Sequence, residues 1–211
     1  MSSESSSKVA HAQTIQQQRA VPSSTNLSLV DESTAGAEVR ASFAQYRERF
    51  ARTDLPGIVL CFATNPGLLK GMLEIAENFL FGESLLSRRH KEMIATYVSG
   101  LNACSYCADS HGAALASLGG SQEVICALQK DELDPQLFRS AELALLRFAG
   151  KVNANSSAIT HADVEAAMHE GWTQEQIAEA VHIAALFAAF NRIANGFGLP
   201  SPFPDGLRDL P

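Results

Sequence analysis

The chain of 211 residues has little positive charge, few aromatics, few cysteines and no long apolar run. Sixteen Lys and Arg stand against 23 Asp and Glu, a formal net charge of −7. A protein that grips phosphate backbones needs a basic face, so nucleic acid is not an expected partner. The longest apolar stretches are 57–63 and 180–190, the second interrupted by His182. A bilayer-crossing helix needs about 20 apolar residues, so no membrane partner is expected either. Residues 1–26 are rich in Ser and Gln and lack the apolar stretch of a secretory leader, which leads to the expectation of a cytoplasmic protein. Four cysteines are too few for a secreted disulfide scaffold. No segment alternates apolar and polar residues with the period of two that a half-buried strand shows.

What is present is a core and helix punctuation. Hydrophobic residues make up 46% of the chain, enough for one globular domain. Val39, Phe43, Tyr46 and Phe50 recur on one helical face, and Asp54-Leu55-Pro56-Gly57 ends it. Asn65-Pro66 is an N-cap with proline at the first helical position, opening a stripe from Leu68 to Phe79 that Gly82 closes. Ser87 and Ser121 cap further helices, and Asp134-Pro135 is read as the start of another. Thr160/Asp163 and Thr173/Gln176 resemble capping boxes, and the last helix is expected from about Gln174 to Ala194. The expectation is an all-α bundle of about eight helices: residues 1–30 a flexible tail, 31–199 one helical domain, 200–211 an irregular C-terminal tail.

The chemistry lies in Cys104-Ser105-Tyr106-Cys107-Ala108-Asp109-Ser110-His111, a C-x-x-C-x-x-x-H pattern. On one helix, spacings of three and four put Cys104, Cys107 and His111 along one face. Two thiols at a helix start can form a disulfide, and the positive end of the helix favours a thiolate. An imidazole one turn on can take a proton from Cys107 or stabilise its anion. The helix before Asn102-Ala103 and the one after it are joined by almost nothing. If they double back, Glu92 and His111 come level to within about one turn, at about 1.5 Å per residue. That would give a carboxylate–imidazole–thiol chain with a second thiol beside it.

These residues resemble a known family. The pattern E-x(11)-C-x-x-C-x-x-x-H, here Glu92, Cys104, Cys107 and His111, is similar to the alkylhydroperoxidase D-like branch of the carboxymuconolactone decarboxylase superfamily, its peroxidase-related members above all. Ser87-Arg88-Arg89, Asn102 to Cys107, His111 to Leu115 and Phe190-Asn191-Arg192-Ile193-Ala194 carry the likeness, which spans Ser33 to Leu199. The resemblance implies an all-α fold, a homo-oligomer (a dimer or ring of dimers) and cysteine-dependent reduction of hydrogen peroxide or organic hydroperoxides. A dithiol reductant, thioredoxin-like or lipoyl-type, would be a partner, and no cofactor or metal is implied. The best-studied branch has a histidine just before the second cysteine, where this chain has Tyr106. A phenol with pKa near 10 is a poor base, so Glu92 and His111 must carry more of the proton relay.

Helix-dipole logic favours Cys104 as the attacking thiolate, while the family pattern and the His111 spacing favour Cys107, which is the assignment adopted; Cys104 then resolves. The alternative functions are a carboxymuconolactone-type decarboxylase, which does not need a dithiol, and a non-enzymatic redox or metal-binding module. Zinc could use the same residues, but no second Cys/His pair exists to complete a structural site. Cys61 and Cys126 read as inert core residues, His182 as a satisfied core histidine, His161 and His169 as surface residues. Tyr106 reads as a packing residue, and Arg88-Arg89-His90-Lys91 as a solvated helix start.

Overall fold

A computed structural model describes residues 25–203 of the chain. Among these residues there are nine α-helices and no strand. They are α1 (Ala37–Phe50), α2 (Gly57–Phe62), α3 (Pro66–Ala76), α4 (Arg88–Leu101), α5 (Ser105–Ser117), α6 (Gln122–Gln129), α7 (Ser140–Asn155), α8 (His161–His169) and α9 (Gln174–Phe197).

Most caps fall where the sequence places them. The Asn65 side chain accepts from the N–H groups of Gly67 and Leu68 at the head of α3, Ser87 Oγ accepts from His90 N–H, and Ser121 Oγ from Val124 N–H. Capping boxes open α8 at Thr160 and α9 at Thr173, and Gly198, at φ 71°, closes α9 in the left-handed conformation that glycine tolerates. Two expectations move. The apolar run at 57–63 holds a helix of its own, α2, and Asp134-Pro135 opens a turn rather than α7. Asp134 spends its carboxylate and carbonyl on Gln136 and Leu137, and α7 begins only at Ser140. Glu77–Phe81 continues α3 as a π-helical turn before Gly82.

Two apolar cores result. One packs α4 to α9 around Ile94, Val98, Leu115, Ile125, Leu128, Leu145, Leu146, Ile183 and Phe187. The other packs α1 to α3 around Val39, Phe43, Val59, Leu69 and Leu73. α9, 24 residues long, is apolar enough by length and composition to cross a bilayer, but it lies against α2, α4, α5, α7 and α8 and buries Ile177, Ala180, Ile183, Ala184, Phe187 and Ala194. Its crossing with α4 and α5 brings the two cores together, with a third small cluster at the seam: Cys61, Cys104, Tyr106, Cys107, Ala194 and Leu199. The expected tails fall largely outside the described residues. Of the parts described, Asn26 N–H donates to Phe197 O (2.8 Å), Leu29 packs on the seam cluster, and Ser201 Oγ donates to Asp109.

Candidate active site

The thiols sit where α4 turns into α5. Asn102 ends α4, Ala103 adopts φ 49°, and Cys104 is the N-cap of α5, its N–H donating to Ser99 O (2.9 Å). A non-glycine residue in the left-handed region is uncommon. Here it makes a one-residue corner that folds α5 back along α4. Cys104 and Cys107 are three apart at the helix start, free, and 1% and 4% exposed. Cys107 as hydrogen-bonding partner lowers the Cys104 thiol to about 7 against the opposing pull of burial. Cys104, with burial, pushes Cys107 well up. Cys104 is thus the more acidic thiol of the two.

One turn on, His111 Nδ1 lies 2.6 Å from Glu92 Oε2 across the α4–α5 pair. Glu92 is 0% exposed, and its other oxygen accepts from Arg88 Nε at 2.7 Å. Burial pushes this carboxyl up, but His111 and Arg88 outweigh it, and it stays below the ordinary carboxylate range. An ionised carboxylate only accepts, so Nδ1 carries a proton and Nε2 is the nitrogen left to exchange one. The ring stands edge-on to Phe187, with centroids 4.5 Å apart, and the Arg88 guanidinium lies 4.2 Å above the Phe81 ring.

The basic run before Glu92 is therefore not a solvated helix start. Arg88 holds Glu92, Arg89 pairs with Glu142, His90 packs edge-on to Trp172, and Lys91, 1% exposed, reaches Gly82 O (2.9 Å) and Glu179 (3.3 Å). The i, i+4 spacing of Arg88 and Glu92 was the signal available in the sequence.

A cavity of about 580 Å³ opens on this array. Cys107, His111, Glu92 and Arg88 line one side, and Phe50, Phe81, Phe187, Phe190 and Phe203 are among its apolar walls. Cys104 is not among the lining residues, so the two thiols differ in access as well as acidity. Tyr106 also lines it; its Oη accepts the Ile58 N–H at 3.1 Å, and burial pushes the phenol up to about 12. The phenol thus packs and bonds backbone, and Ile58 comes from α2, the helix that periodicity did not reveal. Among the described residues no group of three or more His, Cys, Asp or Glu side chains is arranged to hold a metal ion.

Cys61 is buried, and burial pushes its thiol up to about 11. Cys126 is only half-buried, within 3.5 Å of Gln122 Nε2, rather than a core residue. His182 is exposed, not a core histidine; its ring meets the edge of Phe79 on the outer face of α9. His161 and His169 are exposed, beside Glu165 and Glu170.

Comparison with known proteins follows the same lines. Residues 66–149 match the Carboxymuconolactone decarboxylase family. The chain is similar in structure to an uncharacterized peroxidase-related protein from Silicibacter sp. TM1040, with 27% identity, TM-score 0.73 and coverage of 84% of this chain and 92% of that one. A peroxidase-related protein from Ralstonia eutropha JMP134, described as an alkylhydroperoxidase AhpD core, gives 24% identity, TM-score 0.75 and the same coverage of 84% and 92%. A single-residue variant of the debrominase Bmp8, in complex with 2,3,4-tribromopyrrole, shares the fold at 18% identity and TM-score 0.61, over 81% and 88% of the two chains. No curated protein matches the chain.

Proposed function

We propose that this chain, which belongs to the alkylhydroperoxidase D-like and carboxymuconolactone decarboxylase superfamily, is a thiol-dependent peroxidase acting on organic hydroperoxides. One observation carries the reading. A thiol that lines a large apolar cavity has a second, buried thiol three residues before it at the same helix start and a buried carboxylate–imidazole pair one helical turn away.

The steps follow from those positions. Cys107 gives up its proton to His111 Nε2, while Glu92 holds Nδ1–H and stabilises the imidazolium that forms. The Cys107 thiolate attacks one oxygen of the hydroperoxide. The S–O bond forms as the O–O bond breaks, and the departing alkoxide takes the proton from His111 and leaves as the alcohol. Cys107 is now a sulfenic acid. The Cys104 thiolate attacks the Cys107 sulfur and expels hydroxide, which leaves as water after taking a proton, and a Cys104–Cys107 disulfide remains. A dithiol protein, thioredoxin-like or lipoyl-type, restores both thiols by exchange. The cavity is within the size range of small-molecule sites, about 300–1,000 Å³, and its phenylalanine walls suit an organic group. Hydrogen peroxide alone would leave most of that apolar surface wet.

The test is to mix the reduced protein with cumene hydroperoxide or hydrogen peroxide and follow peroxide and free thiol together. The expected result is one peroxide consumed for two thiols lost, faster with the organic substrate. Oxidation of Cys104 and Cys107 no faster than that of a free thiol in solution would end the peroxidase reading.

A further inference from the structure

The strap that follows α9 takes no part in the steps above, yet it reaches the cavity. Its sequence is Leu199-Pro200-Ser201-Pro202-Phe203. Each proline fixes its own φ and keeps the residue before it out of helical backbone, so the chain leaves α9 at Gly198 and residues 199–203 are not helical. Burial alternates along the strap. Leu199 is buried, Ser201 and Phe203 are half-buried, and both prolines are exposed.

The three inward side chains have three different attachments. Leu199 joins the seam cluster of Cys104 and Cys107 and lies over Gly57 at the head of α2, where a Cβ would stand 2.9 Å from Leu199 Cδ2. Ser201 Oγ donates to Asp109 of α5 and accepts the Phe203 N–H at 3.0 Å. The other Asp109 oxygen accepts from Gln129 Nε2 of α6 at 3.0 Å, so the carboxylate that receives the strap is itself held. Phe203, oriented through its own backbone, packs against the larger core and lines the cavity of Cys107 and His111. The other phenylalanine walls, Phe50, Phe81, Phe187 and Phe190, stand on helices or on the π turn. The bonds that place Phe203 run through Ser201, Asp109 and Gln129, none of which takes part in the proposed steps.

We propose that Phe203 is a specificity-determining residue: its ring is a wall for the organic group of the hydroperoxide, and the Ser201–Asp109 bond sets where that wall stands. The inference rests on the reading of the cavity as the peroxide site. It concerns which substrate is favoured and leaves the chemistry at sulfur as it is.

The test compares second-order rate constants of the reduced full-length protein with cumene hydroperoxide and with hydrogen peroxide. In Phe203→Ala the ratio of the first to the second should fall about 10-fold, the low end of what a lost apolar contact in a pocket is worth, because hydrogen peroxide has no group to touch the wall. Ser201→Ala keeps the ring and frees it from Asp109, so the ratio should fall by less, about 3-fold, and Ser201→Thr, which keeps the hydroxyl, should restore it. A role in stability alone would slow both peroxides alike and leave the ratio where it is. A second measurement needs no turnover. Cumyl alcohol, the product of cumene hydroperoxide reduction, should protect Cys107 from iodoacetamide, and the half-protecting concentration should rise about 10-fold in Phe203→Ala. A rate ratio or a protection that stays at the wild-type value in Phe203→Ala overturns the inference, as does a wild-type ratio in Ser201→Ala. The two readings separate. If wild type consumes no peroxide, protection that depends on Phe203 removes the peroxidase and keeps the wall, and absence of any protection removes both. Peroxide consumed with an unmoved ratio removes the wall and keeps the peroxidase.

Discussion

Replacing Glu92 by Gln removes the charge of a side chain that is 0% exposed and hardly changes its shape. The carboxylate accepts from Arg88 on one oxygen and from His111 on the other. A carboxamide has one accepting oxygen, and its nitrogen only donates. It can serve Arg88 or His111, and it turns an N–H towards the one it does not serve. The lost bond to a charged partner costs about 1.5–3 kcal/mol. Breaking a fully buried ion pair costs about 3–5 kcal/mol; Arg88 keeps 31% of its side chain in solvent, which puts the expectation at the lower end of that range. A loss of about 3 kcal/mol corresponds, for a chain of this size, to a melting temperature lower by about 6–12 °C. The pH dependence has a definite sign. Folding holds the Glu92 carboxyl below its usual value of 4.5, so its stabilisation is present above that value and lost as pH falls through the folded one. Wild type and Glu92→Gln should thus differ most near neutrality and converge below pH 4.5. His111→Ala is the contrasting change. It leaves the Arg88–Glu92 pair intact and should cost less stability, but it removes the proton acceptor and should slow peroxide reduction by about 100-fold or more, the larger kinetic loss of the two. Melting curves by circular dichroism at neutral and acid pH, with stopped-flow peroxide reduction, read both. The reasoning is refuted if Glu92→Gln melts within about 1 °C of wild type at neutral pH, or if the gap between them persists in acid.

Cys107→Ser should abolish peroxide consumption, whereas Cys104→Ser should allow one turnover and leave a sulfenic acid on Cys107; mass spectrometry after one equivalent of peroxide decides, and a sulfenic acid formed on Cys104 in Cys107→Ser at the wild-type rate reverses the roles. With Cys104 lowered to about 7, its thiolate predominates above that pH and is lost below it, so alkylation of the reduced wild-type pair should be half-maximal near pH 7, with the label on Cys107, the thiol that lines the cavity; a single midpoint at the ordinary thiol value, about 8.5, contradicts this. Tyr106→Phe strands the Ile58 N–H, which should destabilise the protein by about 1–3 kcal/mol in denaturant titration, and an unchanged midpoint would show that the N–H finds another partner. Assembly into a dimer or a ring of dimers is expected, with Leu68, Ile75, Phe81 and Leu85 among the large apolar side chains left exposed on one chain; light scattering that shows only the 22.6 kDa monomer at micromolar concentration counts against it.

Local signals were legible because they are local. Asn65, Ser87, Ser121, Thr160 and Thr173 cap the helices that follow them through bonds to residues two or three positions on. The Glu92–His111 contact was legible too, because a corner of one residue leaves two adjacent helices little choice but to run back along each other. α2 was not, since six residues are less than two turns and show no period to count. The same limit hid what α2 does, which is to give the Ile58 N–H to Tyr106 and place Cys61 in the seam.

The surroundings of the site come from farther along the chain, and that is where sequence reasoning about it stopped. Lys91 is held by Glu179 and the Gly82 carbonyl, and Asn191, which bonds Ser99 and Asn102 at the corner before Cys104, comes from a helix that begins 70 residues after that cysteine. Spacing within α5 shows that Cys104, Cys107 and His111 share a face; it does not show what that face meets. Phe50 on α1, Phe81 at the end of the π turn, Phe190 on α9 and Phe203 beyond it wall the cavity on the Cys107 side. Leu199 belongs to the seam cluster that holds both cysteines, and Ile193 and Leu29 pack against it. Helix position favours Cys104 in acidity, and the hydrogen bond from Cys107 acts in the same direction. Access to the cavity favours Cys107. The two criteria separate because acidity is set within one turn of helix and access by the whole bundle. On the proposed peroxidase reading, the attacking sulfur is decided by where the substrate can stand, and the proton that Cys107 must lose goes to His111.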